Sequence, residues 1–381
     1  MAQHPAVELT AQLIGISSEN PDRLEGEVIR FIADWLTGSG VDFQLQDVAP
    51  GRQNIIARVR GRGKRGPLAL ISHCDTVPAG QGWTHDPFAA RIEDGKMYGR
   101  GASDMKGGLA ASLYAIKEVR KIGSPPGDLI LAVTVDEEGP GMLGVMALIE
   151  AGLVDANTMV ISPEPTSLDI IRTHKGVMWY EVITHGVMSH AGNADKGVDA
   201  NHALAEVICE LKSAANAVPF VDPLVGRTLL SVGKMGGGTK TNVVPNYARA
   251  EIDLRVPPPF QAEHATVFMR RAAERAILKV QGASVDVNPL GMLRPPVETP
   301  EESPVVRMLK VSSQRVTGKA PPVDGYPAYT DAAVVSWKLR NRNSVLFGPA
   351  SLKQAHTVDE WAYIEEIAAC AEVFKDVAMS E

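Results

Sequence analysis

Leu68-Ala69-Leu70-Ile71-Ser72-His73-Cys74-Asp75 is an apolar run that ends in a histidine and a carboxylate two residues apart. It reads as a buried strand of an open α/β sheet, delivering polar side chains at its carboxyl end, where such sheets form their ligand sites. The pattern recurs: Leu129 to Val135 leads into Asp136, Glu137 and Glu138, Met159 to Ile161 into Glu164, and Ser344 to Phe347 into the loop carrying His356. Loops at the ends of parallel strands share one crevice, so these distant residues are expected to converge.

Outward from that stretch, strands alternate with helices. Asp22 to Thr37 carries Leu24, Val28, Ile32, Trp35 and Leu36 at helical spacing, a strand is expected at 54–60, and Gly107 to Lys121 reads as a helix with Leu109, Leu113, Ile116 and Val119 on one face. Such alternation implies a largely parallel sheet flanked by helices. From about Gly176 the order becomes strand, helix, strand, strand, helix, strand over 176–290. That is the split-βαβ, ferredoxin-like order of a complete small domain inserted into a larger one. The body is therefore expected at 1–175 and 291–381, its return marked by proline-rich stretches and its closing helix expected to run from Thr357, with Glu360 at capping-box spacing.

The chain has 381 residues, enough for two cores, and its 45% apolar and 22% charged content is that of an ordinary globular protein. A net charge of -7 without a basic block argues against nucleic acid or an anionic membrane as main partner. No apolar stretch has membrane-spanning length and no secretory leader is recognisable, so a cytoplasmic protein is expected. Cys74, Cys209 and Cys370 are too few for a disulfide framework. Cys74 lies between His73 and Asp75, but strand alternation points it to the opposite face and out of the ligand set.

The clustered residue types fit a metal centre. In His73-Cys74-Asp75 the carboxylate can orient the imidazole that binds metal. Asp104 sits in the glycine-dense loop Gly99 to Gly108, which has neither Walker nor dinucleotide-binding spacing; its glycines let backbone pack around a cation, and a carboxylate at its centre can bridge two. Adjacent Glu137 and Glu138 are costly to ionise together unless cations sit nearby, and one can bind metal while the other takes a proton from water. Mixed histidine and carboxylate ligation favours zinc, with cobalt or manganese compatible.

His73 to Pro78, the Gly99 to Gly108 loop, Asp136-Glu137-Glu138-Gly139, Glu164-Pro165-Thr166 and Ala355-His356-Thr357 resemble the M20 metallopeptidase family, in order and over nearly the whole chain. The resemblance implies a zinc-peptidase-like catalytic domain with an inserted lid that makes a homodimer. It implies two divalent metal ions: His73, Asp104 and Glu164 on one, with Asp104 bridging to a second held by Glu138 and His356. It further implies Glu137 as general base and Asp75 as orienter. Gly186 to Gly192 looks like the family segment whose histidine, here His190, reaches across the dimer to steady the tetrahedral intermediate. Asn242 matches a substrate-contacting asparagine, and Arg255 an arginine that binds a substrate carboxylate.

The expected activity is hydrolysis of an amide bond in an N-acyl amino acid or small peptide. A dipeptide or an unusual aromatic or xenobiotic amide is the alternative substrate, and a silent metal- or ligand-binding protein is the alternative to an enzyme. Glu164 stands where the carbamoyl-amidohydrolase branch carries histidine. Lys175-Gly176 replaces the Arg-Arg-Gly of desuccinylases, and Thr330-Asp331-Ala332-Ala333 resembles the glutamate carboxypeptidase branch, with Ala328 and Tyr329 in place of its glycines.

Overall fold

The computed structural model describes residues 3–381. The chain divides into two compact units. The first comprises residues up to Arg172 with Glu298–Asp324 and Thr330–Glu381; the second comprises Thr173–Val297 with Gly325–Tyr329.

The first unit is built on a mixed sheet whose strands run, edge to edge, Phe43–Ala49, Arg52–Val59, Leu129–Thr134, Leu68–His73, Met159–Ser162 and Ser344–Leu346, continuing into Ile170–His174. Its centre is parallel: Leu68–His73 pairs in parallel with Leu129–Thr134 and with Met159–Ser162, which pairs in parallel with Ser344–Leu346. Every residue of these four strands is buried, which explains why they read as continuous apolar runs. Helices Pro5–Ile14, Gly107–Ile122 and Ile364–Met379 cover the sheet through Leu13, Leu109, Leu113, Ile116, Ile367 and Phe374. Each such side chain contributes about 1.5–3 kcal/mol on full burial.

The second unit is a four-stranded antiparallel sheet in the order Leu229–Gly237, Tyr247–Val256, Gly176–His185, Ser284–Pro289, with helices Ala200–Asn216 and Ala262–Ile277. This is the ferredoxin-like order. Along Tyr247–Val256 the residues Ala248, Ala250, Ile252 and Leu254 are buried while Arg249 is exposed, so period-two alternation fixes the face and the register. Asp199 caps the first helix, accepting from the N–H groups of Asn201 at 2.8 Å and His202 at 3.1 Å.

Several elements differ from expectation. The units divide at 172/173 and 297/298, against the expected 175/176 and 290/291, and residues 325–329 go with the second unit. Long-range bonds set these limits: Lys175 N–H donates to the Tyr326 carbonyl at 3.0 Å, Lys175 Nζ to the Arg227 carbonyl at 2.8 Å, and Val177 bridges Arg294. The strand Phe43–Ala49 has no fully buried residue and little apolar signal. The closing helix begins at Ile364, not Thr357, because Trp361–Tyr363 pairs with Lys96–Tyr98 in a small three-stranded sheet. Glu360 therefore caps no helix. Among the described residues no helix is long and apolar enough to cross a membrane.

His174 is buried in the second unit beside Tyr326 and Tyr329, and burial alone pushes its pKa down to about 3. The folded state thus refuses a proton that the unfolded chain accepts below about pH 6.5. Stability from this residue is complete above that pH and is lost toward pH 3, with a slope of up to about 1.4 kcal/mol per pH unit. His174→Gln should flatten the acid limb of a urea-unfolding series between pH 6.5 and 4; an unchanged slope would remove His174 from the acid response.

Candidate metal centre

His73 ends its strand and is 1% exposed. Its Nδ1 lies 3.0 Å from the Asp75 carbonyl oxygen and 3.5 Å from Asp75 Oδ1. Donation there holds a proton on Nδ1 and makes Nε2 the nitrogen that faces the carboxylates. Nε2 lies 3.1 Å from Asp104 Oδ1 and 4.0 Å from Glu164 Oε2. The other oxygen of Asp104, Oδ2, lies 3.4 Å from His356 Nε2, which is 2.9 Å from Glu138 Oε1.

Two ligand groups result. His73, Asp104 and Glu164 offer atoms within 4.8 Å of one another, and so do Asp104, Glu138 and His356. Asp104 belongs to both, one oxygen facing each histidine. Glu137 belongs to neither, although it is half-buried and feels the charges of His73, Glu164 and Glu138.

The electrostatics of the cluster explain what would fit it. Burial first, then His73 and the charges of Glu164 and Glu138, act on the Glu137 carboxyl and leave its pKa raised well above the usual range. Burial and Asp104 do the same to Glu164, and raise Glu138. Asp104 is the exception: burial disfavours its charge, but hydrogen bonds with His356 and His73 hold its pKa below the ordinary value. Those same bonds raise His356 to about 10, its bonds to Asp104 and Glu138 outweighing its burial. His73 is raised well above its usual value because its bonds to Asp104 and Asp75 overcome desolvation. Protons thus stand where positive charge is wanted. Among the described residues Glu164 Oε1 is buried with no hydrogen-bond partner, which leaves it able to meet a cation. Oxygen and nitrogen donors in this mixture suit zinc or a similar divalent ion.

Each loop is held in place by bonds at its base. The Asp75 carboxylate accepts from the backbone N–H groups of Glu137 at 3.2 Å and Glu138 at 3.1 Å and from Asn20 Nδ2 at 3.0 Å. Asp75 therefore fixes the acidic turn as well as facing the imidazole. Asp136 and His356 adopt left-handed backbone, φ 63° and 62°. Arg52 donates to Asp136 Oδ1 at 2.7 Å and also grips buried Glu25, whose Oε1 accepts the Asp136 N–H at 3.2 Å. Gly108 and Gly348 let backbone press against Pro163 and Glu164, since a Cβ at either would overlap the Pro163 carbonyl. Cys74 is fully buried in the hydrophobic core, away from the ligands.

Asn20, Glu25 and Arg52 carry no periodic or motif signal, Arg100 stands out only as part of the glycine-dense loop and Glu360 only by its capping-box spacing, so sequence reasoning passed over their part in this site. Asp331 was noted only within a motif. It is 2% exposed, bonds Thr134 Oγ1 at 2.7 Å, and burial raises its pKa to about 7.

The second unit carries the other three candidates. His190 is exposed in a short pairing of Ser189–His190 with Val243–Val244, and its Nδ1 accepts the Gly192 N–H at 3.0 Å, leaving the proton on Nε2. Asn242 adjoins it, its carbonyl accepting the Ala191 N–H at 3.0 Å. Arg255 is not brought to them. It lies toward the far end of Tyr247–Val256, eight residues or roughly 27 Å of strand from Tyr247. Its Nε and Nη2 bind the two oxygens of Asp253 at 2.7 and 2.8 Å, and Nη1 donates to the Pro327 carbonyl at 3.2 Å.

Comparison with known proteins adds to this geometry. Residues 69–380 match the family model described as peptidase family M20/M25/M40. A succinyl-diaminopimelate desuccinylase of Paracoccus denitrificans is 32% identical over 97% of this chain and 96% of its own. An acetylornithine deacetylase of Myxococcus xanthus is 29% identical over 86% of this chain and 84% of its own. Among solved structures, the aminopeptidase PepT of Bacillus cereus superposes with a TM-score of 0.80 at 23% identity, covering 98% of this chain and 97% of that one. The Sulfolobus solfataricus metallo-carboxypeptidase Sso-CP2 has a TM-score of 0.80 at 19% identity and covers 98% of both chains.

Cation binding should release protons at pH 7. With its pKa at about 10, His356 is protonated there and must lose that proton to coordinate. Cation affinity should accordingly rise with pH through the neutral range. Calorimetric titration in buffers of different ionisation enthalpy measures the release, and His356→Ala should lower it by about one proton per chain. Equal release by variant and wild type would exclude His356 as a ligand.

Proposed function

Since the chain belongs to peptidase family M20/M25/M40, we propose that it is a two-cation hydrolase that cleaves the amide bond of an N-acyl amino acid or small peptide. The observation that carries this reading is the Asp104 carboxylate, one oxygen toward His73 and the other toward His356, with Glu137 half-buried, within reach of their charges and outside both ligand groups. The names of the relatives, a desuccinylase and a deacetylase, support an N-acyl amino acid as substrate class.

In this reading His73, Asp104 and Glu164 hold one cation, and Asp104, Glu138 and His356 the other, with zinc as the ion that best suits the donors. Bound there, the ions supply Lewis acidity and bring a water's pKa toward neutrality. Glu137 takes the proton from the attacking water and returns it to the leaving amine, a role that contributes typically 10²–10⁴-fold. Asp75 keeps the Glu137 backbone and the His73 ring in register for that transfer. His190, with its proton on Nε2, is a donor for the oxyanion. Arg255 has used three of its five N–H donors on Asp253 and Pro327, which leaves two to take a substrate carboxylate. Asn242 would contact the substrate beside His190. Separation of Arg255 from His190 and Asn242 along one strand supports a homodimer, in which a site draws on the two ends of different lids.

Hydrolysis of N-acetyl, N-succinyl and N-aroyl amino acids and dipeptides by the zinc-, cobalt- and manganese-loaded protein tests the activity. Turnover should concentrate on one acyl or amino-acid class. Glu137→Ala should keep its metal content and lose 10²–10⁴-fold in kcat; full activity would remove Glu137 from the base role. Mixing inactive His190→Ala and Glu137→Ala chains should restore activity through hybrid sites, and hybrids that form but stay silent would sink the shared-site arrangement.

A further inference from the structure

Glu360 and Arg100 are buried at 0% and 2% exposure, and neither faces the ligand cluster as a donor to it. Glu360 Oε1 accepts two consecutive backbone N–H groups, Ser103 at 2.8 Å and Asp104 at 3.0 Å. Its Oε2 takes Arg100 Nη1 in a short ion pair. The other Arg100 amino group donates to the carbonyls of Pro78 and Ala79, each at 3.3 Å, and the guanidinium lies 5.2 Å from the centre of the Trp83 ring. Gly99 N–H donates to the Glu360 carbonyl at 2.9 Å, and Ser103 Oγ to the Ser351 carbonyl at 3.0 Å.

One buried pair thereby ties three loops together: the segment after His73 and Asp75, the glycine-rich loop bearing Asp104, and the loop bearing His356. We propose that Glu360, with Arg100 as its counter-charge, is the positioning residue for the shared carboxylate, setting Asp104 so that each oxygen meets a different cation. This rests on the two-cation reading above. The Asp104 carboxylate has to serve histidines on opposite sides, at 3.1 and 3.4 Å, so a backbone shift of about 0.5 Å toward one lengthens the other. Two anchored N–H groups next to its Cα remove that freedom. The second ligand group depends on the pair twice, through Asp104 and through the loop that carries His356.

Glutamine cannot replace Glu360. If its oxygen kept the two backbone N–H groups, its amide nitrogen would face the Arg100 guanidinium, donor against donor; turned the other way, it would abandon the backbone. Glu360→Gln is isosteric and tests the carboxylate without removing volume.

The experiment titrates cobalt(II) into wild type, Glu360→Gln and Asp104→Ala, following heat and visible absorption, with urea unfolding of each metal-free protein. Wild type should bind two ions. Glu360→Gln should bind the first within about threefold of wild type and the second about 10- to 100-fold more weakly, with an altered visible band, the range usual for loss of an outer partner of a ligand. Its kcat should fall with KM little changed, as expected for a residue that acts through the centre and not through substrate contact. Two ions bound with wild-type affinity and spectrum would overturn the proposal. If wild type binds only one ion, the two-cation reading fails first, and that result is distinct because it appears without any substitution at Glu360. Should Glu360→Gln not fold, Glu360→Asp, which keeps the charge and draws it back by one methylene, should show the same weakened second ion; wild-type binding by it would equally overturn the proposal.

Discussion

Several carboxylates buried in one crevice cannot all stay ionised without positive charge beside them, and most of the first unit is arranged around that constraint. Two like charges 4 Å apart repel by about 4 kcal/mol at an effective dielectric near 20. The protein meets the cost in two ways. Scaffold carboxylates have cations of their own: Glu25 and Asp136 share Arg52, and Glu360 has Arg100. Among the described residues, Asp104, Glu137, Glu138 and Glu164 have no lysine or arginine within ion-pair distance and are left to two histidines. That division separates the residues that build the site from those that would hold ions, and two divalent cations would balance the four carboxylates so left.

Holding that charge in a fixed shape falls to the backbone. Asp136, which precedes Glu137, and the candidate ligand His356 take left-handed conformations, and Gly108 and Gly348 allow chain segments to close on Pro163 and Glu164. Such arrangements cost of order 1–3 kcal/mol each where a non-glycine residue adopts them, and they persist where surrounding bonds over-determine them. Arg52, Glu25 and Asn20 do this for Asp136, whose N–H and both carboxylate oxygens are engaged.

How much of this could be read from the sequence follows from what produces each signal. Strands buried on both faces leave apolar runs, and the residues just past them are conspicuous, so His73, Glu138, Glu164 and His356 were legible as candidates, Asp104 by its glycine-dense loop instead, and the inserted unit by its alternation. Phe43–Ala49 was not, being a half-exposed strand with glutamines at alternate positions. Glu360 misled because its spacing from Thr357 imitates a helix cap, while its carboxylate reaches back more than 250 residues to Ser103 and Asp104. Arg52 and Glu25 lie 84 and 111 positions from Asp136. Nothing local records such pairings, because a single buried hydrogen bond has no period.

In the proposed reading Glu137 and Glu138 divide one dipeptide between two tasks. Both backbone N–H groups are taken by the same Asp75 carboxylate, so the pair moves as one turn. Glu138 meets His356 at 2.9 Å and its proton affinity is moderated by that contact, whereas Glu137 has neighbours of its own sign in Glu164 and Glu138 and stays raised well above the carboxylate range. Cations in the two ligand groups would draw Glu137 back down. Burial and like charge push its proton affinity up, the ions pull it toward neutrality, and a base is most effective when its pKa lies near the operating pH. On that proposal the position adjacent to the ligand, rather than the ligand itself, is where a proton carrier is most useful, and the turn held by Asp75 puts Glu137 at such a position.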